Sequence, residues 1–243
     1  MTYLQFHLAF TVPVLVALAH VQPQPVGGVG ARTALGWLGA VVGLAVVYTT
    51  PWDNYLVYRG VWTYPPGSVV GTIGYVPVEE YAFFVFQTLI AGLFYLFLRG
   101  RGALRSASRP MPRAFRSGLL TVILVTTAAG FGLLLHPSDH VLYLGLILAW
   151  APPVLAGMVA VGAHKVWDER RRAAAAIGLV TGYLWVADRV AIGMRTWRIE
   201  DPYRLGFDPL GLPIEEAVFF LVTTTLCVFG LALFLPPDPA SRT

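Results

Sequence analysis

Seven runs of apolar residues divide the chain: Tyr3–His20, Thr33–Thr50, Pro77–Leu98, Ser117–Leu135, His140–Ala163, Ala173–Met194 and Pro213–Leu235. A bilayer core about 30 Å thick takes ~20 apolar residues as helix. The runs are continuous rather than alternating, which argues against spanning strands. The pattern therefore predicts an all-α membrane protein with about seven transmembrane helices. Polar punctuation separates the runs. Gln22–Gly30 is rich in Pro and Gly, Arg99–Arg116 holds six Arg, and Lys165–Arg172 is a second basic cluster. The tail Pro236–Thr243 reads as polar and frayed. No Lys or Arg precedes Arg32, whereas a secretory signal needs a basic n-region. The first run is accordingly expected to be a retained helix.

Composition agrees with lipid as the solvent. Of 243 residues 56% are hydrophobic and 12% charged, against about 25% charged in a soluble domain. The formal net charge of +4 is loop charge beside lipid headgroups rather than a nucleic-acid footprint. With seven crossings, one face collects 12 of the 17 cations and the other five. The positive-inside rule then makes the richer face cytoplasmic, with the N-terminus outside and the cell membrane as the expected location. Cys227 is the one cysteine, so neither an intrachain disulfide nor a cysteine metal site can be built.

The strongest internal signal is a duplication. Asp53 follows Trp52, and Trp62 comes nine residues later; Asp188 is followed nine residues later by Trp197. Downstream stand Gly74, Pro77, Glu79, Glu80, Phe83 and Phe84 in one copy, and Gly211, Pro213, Glu215, Glu216, Phe219 and Phe220 in the other. The offset is 135 at the Asp and Trp pairs, rising to 136 from the Pro pair onward after a one-residue insertion. It maps the first three helices onto the last three and leaves the fourth as a connector. Residues 1–98 form a first repeat, 99–136 a basic loop and connector helix, and 137–243 a second repeat. Four crossings separate equivalent positions, so the two copies are parallel rather than inverted. Both Pro-x-Glu-Glu motifs then open helices on the same face.

Proline suits the first helical turn, where its missing N–H costs nothing. Glutamates in that turn favour the helix macrodipole and need no chemistry to explain them. Duplication and depth argue for more. Phe83 and Phe84 follow at once, so the acids sit at the edge of hydrocarbon, where ionisable groups are functional candidates. Asp53 and Asp188 add one carboxyl per copy, near the ends of the second and sixth helices. The six candidate catalytic residues are Glu79, Glu80, Glu215, Glu216, Asp53 and Asp188. Crowded in a poorly solvated site they cannot all ionise, which supplies a Brønsted acid beside a base. Arg59, Arg189 and Arg195 are expected to hold the ionised members. Aromatic residues crowd the same stretches: Trp52, Tyr55, Trp62, Tyr81, Phe83 and Phe84 in one copy, Trp185, Trp197, Phe219 and Phe220 in the other. They suit an interfacial belt and equally a wall of π faces that stabilises a cation.

His20, His136 and His164 lie at segment ends; His7 and His140 are placed to approach the site face, without metal spacing. No Glu-x-x-His pair marks a di-iron site, and Gly27–Gly30 lacks a dinucleotide-binding context. No metal and no cofactor is expected. A retinal protein needs a lysine within a helix, and Lys165 stands in a basic loop. A proton-coupled transporter using buried carboxylates is an alternative reading of the acids.

At the residues Trp52-Asp-Asn-Tyr, Trp62, Pro77-Val-Glu-Glu-Tyr-Ala-Phe-Phe, Asp188, Trp197 and Pro213-Ile-Glu-Glu-Ala-Val-Phe-Phe, the sequence resembles the small membrane carotenoid cyclases. In that family two similar halves occur as separate subunits or fused, and the resemblance covers nearly the whole chain as a fused form. It implies an isomerase of the intramolecular lyase type, lycopene beta-cyclase, that turns linear carotene ends into beta-ionone rings without net redox change, with a carotenoid hydratase or other-ring cyclase as the alternative of the same chemistry. It also implies lycopene as a lipid-soluble substrate, membrane lipid and other carotenoid enzymes as partners, no nucleic acid, and the Pro-x-Glu-Glu acids as catalytic candidates. Replacing Glu79, Glu80, Glu215 or Glu216 by Gln is each expected to lower turnover. Tyr81 is matched by Ala217, so any tyrosine role there is confined to one half.

Overall fold

The computed structural model describes residues 1–106 and 110–237. The expected frayed tail from residue 238, and residues 107–109 of the expected Arg99–Arg116 loop, lie outside the described residues. Seven helices are long and apolar enough to cross a membrane. They are α1 (Tyr3–His20), α2 (Ala31–Tyr58), α3 (Val78–Gly100), α4 (Arg113–Leu134), α5 (Leu142–Asp168), α6 (Arg170–Gly193) and α7 (Ile214–Phe234). The chain is an integral membrane protein.

Local chemistry explains the boundaries. Thr2 caps α1 by accepting from the Gln5 N–H, while the Gln5 side chain accepts from the Thr2 N–H. A π-helical turn, His7–Thr11, inserts one extra residue and turns the His7 ring inward, where it is buried. The sequence places the end of the second helix at Thr50, before Pro51. The helix instead runs eight residues further, so Asp53 lies within it rather than at its end. A proline removes one ladder hydrogen bond but does not stop a helix whose neighbours hold it. Pro77 and Pro213 are N-caps, one position earlier than expected. That places Glu79 and Glu80, and likewise Glu215 and Glu216, second and third in their helices.

The centre of the molecule is α3 packed on α7. Around it α1 and α2 pack on α3, α5 and α6 pack on α7, α6 also reaches α3, and α2 also reaches α7. Close approach is built from small residues. A Cβ on Gly92 of α3 would lie 2.3 Å from Leu38 Cδ1 of α2. Helix α4 packs on α5 through Gly130, where a Cβ would meet the Ala149 backbone nitrogen at 2.5 Å.

On the face where α3 and α7 begin, four short strands organise the loops: β1 (Trp62–Thr63), β2 (Thr72–Ile73), β3 (Val76–Pro77) and β4 (Arg198–Ile199). Strand β1 pairs antiparallel with β4, Trp62 opposite Ile199 and Thr63 opposite Arg198. Thr63 Oγ1 adds a 2.5 Å bond to Glu200. Strands β2 and β3 form a tight hairpin around Gly74. Gly74 has φ +65°, and a Cβ there would sit 2.4 Å from Asn54 Oδ1, so glycine is required twice over.

Candidate active site

Successive residues on a helix point about 100° apart, and the paired glutamates separate accordingly. Glu79 turns to the preceding loop, where its Oε1 accepts from the Val70 N–H at 2.7 Å. Glu80 turns into the bundle, and its Oε2 accepts from the Tyr3 hydroxyl at 2.6 Å and the Tyr64 hydroxyl at 3.1 Å. At the head of α7, Glu215 Oε1 accepts from the Leu205 N–H at 2.7 Å. Glu216 Oε1 accepts from the Tyr143 hydroxyl at 2.7 Å. One acid of each pair holds a loop and the other faces inward.

The inward acids meet. Glu80, Asp188 and Glu216 line one small cavity of about 10 Å³, walled by Tyr3, Trp62, Phe83, Trp197, Phe219 and Phe220. That volume is on the scale of one water molecule. Asp53 is wholly buried beside this group, and the three lining acids are at most 3% exposed. Glu80 lies within electrostatic reach of Asp53, Asp188 and Glu216, and Glu216 within reach of Asp188. The Trp197 indole N–H donates to Asp188 Oδ1 at 3.0 Å. At the same nine-residue spacing, the Trp62 indole N–H and both Asp53 oxygens are buried without hydrogen-bond partners.

Among the described residues no arginine or lysine forms an ion pair with these four acids. The expected arginine partners are engaged elsewhere. Arg59 faces Asp139 at 3.8 Å and bonds the Tyr55 hydroxyl, Arg189 bonds the Leu210 carbonyl, and Arg195 is exposed.

The aromatic candidates divide. Trp62, Phe83, Trp197, Phe219 and Phe220 line the cavity. Trp52 stacks between Trp150 at 4.7 Å and Phe219 at 5.6 Å, forming one wall. Phe84 lines a larger groove, described below. Three others lie away from the acids. Tyr55 is 40% exposed beside Arg59, Trp185 is 38% exposed and donates to the Ala217 carbonyl, and the Tyr81 hydroxyl donates to the Ile73 carbonyl. Of the three, Tyr55 and Trp185 are the exposed ones, whereas Tyr81 is half-buried and packs edge-on against Phe84 at 5.9 Å. His140 approaches the Asp201 and Arg204 carbonyls in the loop layer. His7 reaches the Glu79 carbonyl at 2.8 Å and stacks on Tyr3 at 4.9 Å, so it supports the site from behind.

Sequence reasoning missed Tyr3, Tyr143 and Trp150. Tyr3 and Tyr143 make the same bond to the inward glutamate of each pair, yet they are 140 residues apart and fall outside the 135–136 register. Their one signal is a phenol at the mouth of an apolar run. Burial first, and then the charge of Glu80, push the Tyr64 phenol well above its usual range, so it remains a donor.

Beyond Phe219 a groove of about 560 Å³ runs between α2, α3, α5 and α7. Its walls are apolar, with Val41, Trp150, Met158 and Leu226 among them, and its rim residues Leu44 and Val161 are 58% and 83% exposed. Phe219 and Trp150 therefore stand between a lateral opening and the acids. Gln87 and Thr223, bonded at 2.7 Å, form its polar floor.

The chain is 42% identical over 233 residues to a lycopene beta-cyclase of Halobacterium salinarum, covering 96% of this chain and 95% of that one. It is 38% identical over 241 residues to a bifunctional lycopene cyclase/phytoene synthase of Gibberella fujikuroi, covering 94% of this chain but 39% of the fungal protein. A protein of the same description from Podospora anserina is 36% identical over 241 residues, 96% of this chain and 40% of its own. No family model matches the chain, and no solved structure does.

Proposed function

The chain belongs to the lycopene beta-cyclase family, and we propose that it closes the linear ends of lycopene into beta-ionone rings at the cavity lined by Glu80, Asp188 and Glu216, with Asp53 buried beside it. The enzyme is of the isomerase type, since ring closure adds and removes no atoms overall. The observation that carries the assignment of the site is the convergence of Glu80, Asp188 and Glu216 on one aromatic cavity with Asp53 within electrostatic reach, all four buried and, among the described residues, none in an ion pair.

The chemistry follows from that arrangement. A carboxyl delivers a proton to C2 of the terminal double bond, leaving a cation at C1. The C5=C6 electron pair closes the C1–C6 bond and moves the cation to C5. A carboxylate removes the C6 proton, and that electron pair restores C5=C6 within the ring. Acid and base are one residue type in two protonation states, as proton transfer near neutral pH requires. Trp62, Trp197 and Phe219 turn π faces toward the cation. A water left beside the cation would trap it as an alcohol, and a cavity of roughly one-water volume leaves no room for one once the polyene end is in place. The polyene lies in the apolar groove, entering from the bilayer. Glu79 and Glu215 fasten the loops that close the cavity.

The parallel repeat belongs to the same proposal, with residues 1–98 and 137–243 as the halves and α4 within the connector at 99–136. Its support is the pattern of neighbours: α1 and α2 stand to α3 as α5 and α6 stand to α7. Further support comes from contacts between counterparts. Gln87 bonds Thr223, 136 positions on, and Thr63 pairs with Arg198, 135 positions on. Residues related by a two-fold axis meet each other only near that axis. The charge asymmetry of the loops favours the N-terminus outside a cell membrane, with other carotenoid enzymes sharing that bilayer.

Expression in a lycopene-accumulating host, followed by pigment chromatography, tests the function. Cyclised product is expected, and unchanged lycopene with well-expressed protein would overturn the proposal.

A further inference from the structure

The inward acids differ in how many donors they receive, and the difference sorts their roles. Two phenols converge on one oxygen of Glu80, at 2.6 and 3.1 Å. Glu216 receives one phenol at 2.7 Å and Asp188 one indole N–H at 3.0 Å. Hydrogen bonds donated to a carboxylate favour its charged form, and Glu80 receives one more than either of the other two. We propose that Tyr3 and Tyr64 are positioning residues that hold Glu80 as the proton acceptor of the cyclisation, and that Asp188 and Glu216 hold, across the cavity, the proton delivered to the polyene. The inference rests on the function proposed above.

The two phenols are themselves held. The Tyr3 ring stacks on His7 and packs against Trp197 at 4.7 Å. The Tyr3 backbone N–H donates to the Ser68 carbonyl at 2.8 Å, which ties the start of α1 to the loop that carries Tyr64. Tyr64 keeps its proton because burial raises its phenol well above the usual range. The titratable groups facing Glu80 are Tyr3 from α1, Asp53 from α2, Tyr64 from the loop, Asp188 from α6 and Glu216 from α7, with Glu79 beside it on α3. His7 stands behind Tyr3. Asp188 and Glu216 line the same cavity, and carboxyls crowded in a poorly solvated site cannot all ionise, so a proton is held there. In the cycle that proton goes to C2, Glu80 receives one from C6, and passage of a proton from Glu80 back across the cavity resets the site. One proton leaves and one returns, with no co-reactant.

The test is the pH dependence of kcat for enzyme in lipid vesicles with equal pH on both sides. Activity on the acidic limb is lost when the base becomes protonated. Removing a donor from a carboxylate makes protonation easier, so the limb moves to higher pH. Tyr3→Phe and Tyr64→Phe, measured separately, are each expected to move the acidic limb up by about one pH unit. Tyr143→Phe, acting on Glu216, is expected to move the alkaline limb and leave the acidic one in place. The infrared carboxylate band lost in Glu80→Gln provides a second readout that needs no turnover, and it is expected to shift in Tyr64→Phe. An acidic limb moved by Tyr143→Phe alone, or an unmoved limb and band in both Tyr3→Phe and Tyr64→Phe, would overturn the assignment. Full turnover in both Glu80→Gln and Glu216→Gln would instead overturn the acid cluster as the site.

Discussion

Exchanging either member of the first glutamate pair for glutamine is chemically the same perturbation, and the structure requires different results. In Glu79→Gln the amide oxygen still accepts from the Val70 N–H, now bonded at 2.7 Å. The new NH2 inherits the place of Oε2, which is buried without a partner. Leaving that group unsatisfied costs about 1–3 kcal/mol of stability. Turnover of the folded enzyme loses no more than the weakened loop bond, about 1 kcal/mol, or roughly fivefold. In Glu80→Gln a proton-transfer group is gone, and such a group contributes about 10²–10⁴-fold, or roughly 3–5 kcal/mol of barrier. Initial rates of ring formation, normalised to folded protein and followed by pigment chromatography, separate the two by more than tenfold. Thermal midpoints of the purified proteins report the Glu79→Gln stability loss. Equal losses of turnover would refute the division into loop-holding and inward acids. Glu215→Gln and Glu216→Gln repeat the comparison in the second pair.

Three further outcomes follow from geometry. Gly157 lines the groove with open space around its Cα, so Gly157→Phe should fill it and depress lycopene turnover about tenfold or more, with an unchanged far-UV dichroism spectrum. Trp197→Phe keeps the ring but removes the N–H bonded to Asp188, and should lower kcat more than it changes KM, because the lost bond acts on a reacting group. Gly74→Ala places a methyl 2.4 Å from Asn54 Oδ1 at φ +65°, and should lower the thermal midpoint by the equivalent of roughly 1–3 kcal/mol.

Much of this was legible in the apolar runs. A helix in lipid must satisfy its own backbone, so continuous hydrophobicity predicts it with few competitors, and all seven appear. The end of α2 was not legible, because Pro51 signals a stop that packing overrides. The duplication marked the six acids, yet it treated both glutamates of a pair alike. Their separation depends on helix phase, and their function on Tyr3 and Tyr143, which approach from helices distant in sequence. The arginine partners were inferred from proximity along the chain. In space the polar neighbours of the inward acids are phenols and an indole, neutral groups whose role no charge count reveals.

With the seven helices crossing a bilayer as proposed above, the groove, whose rim residues Leu44 and Val161 are exposed, opens sideways into hydrocarbon rather than into water. The reactant concentration that the enzyme senses is thus a mole fraction in the bilayer. Adding empty lipid at fixed enzyme and carotene should slow the reaction, while diluting the aqueous phase should leave it unchanged. Saturation then belongs on an axis of carotene per lipid, and a membrane that thickens or orders its acyl chains becomes part of the rate law.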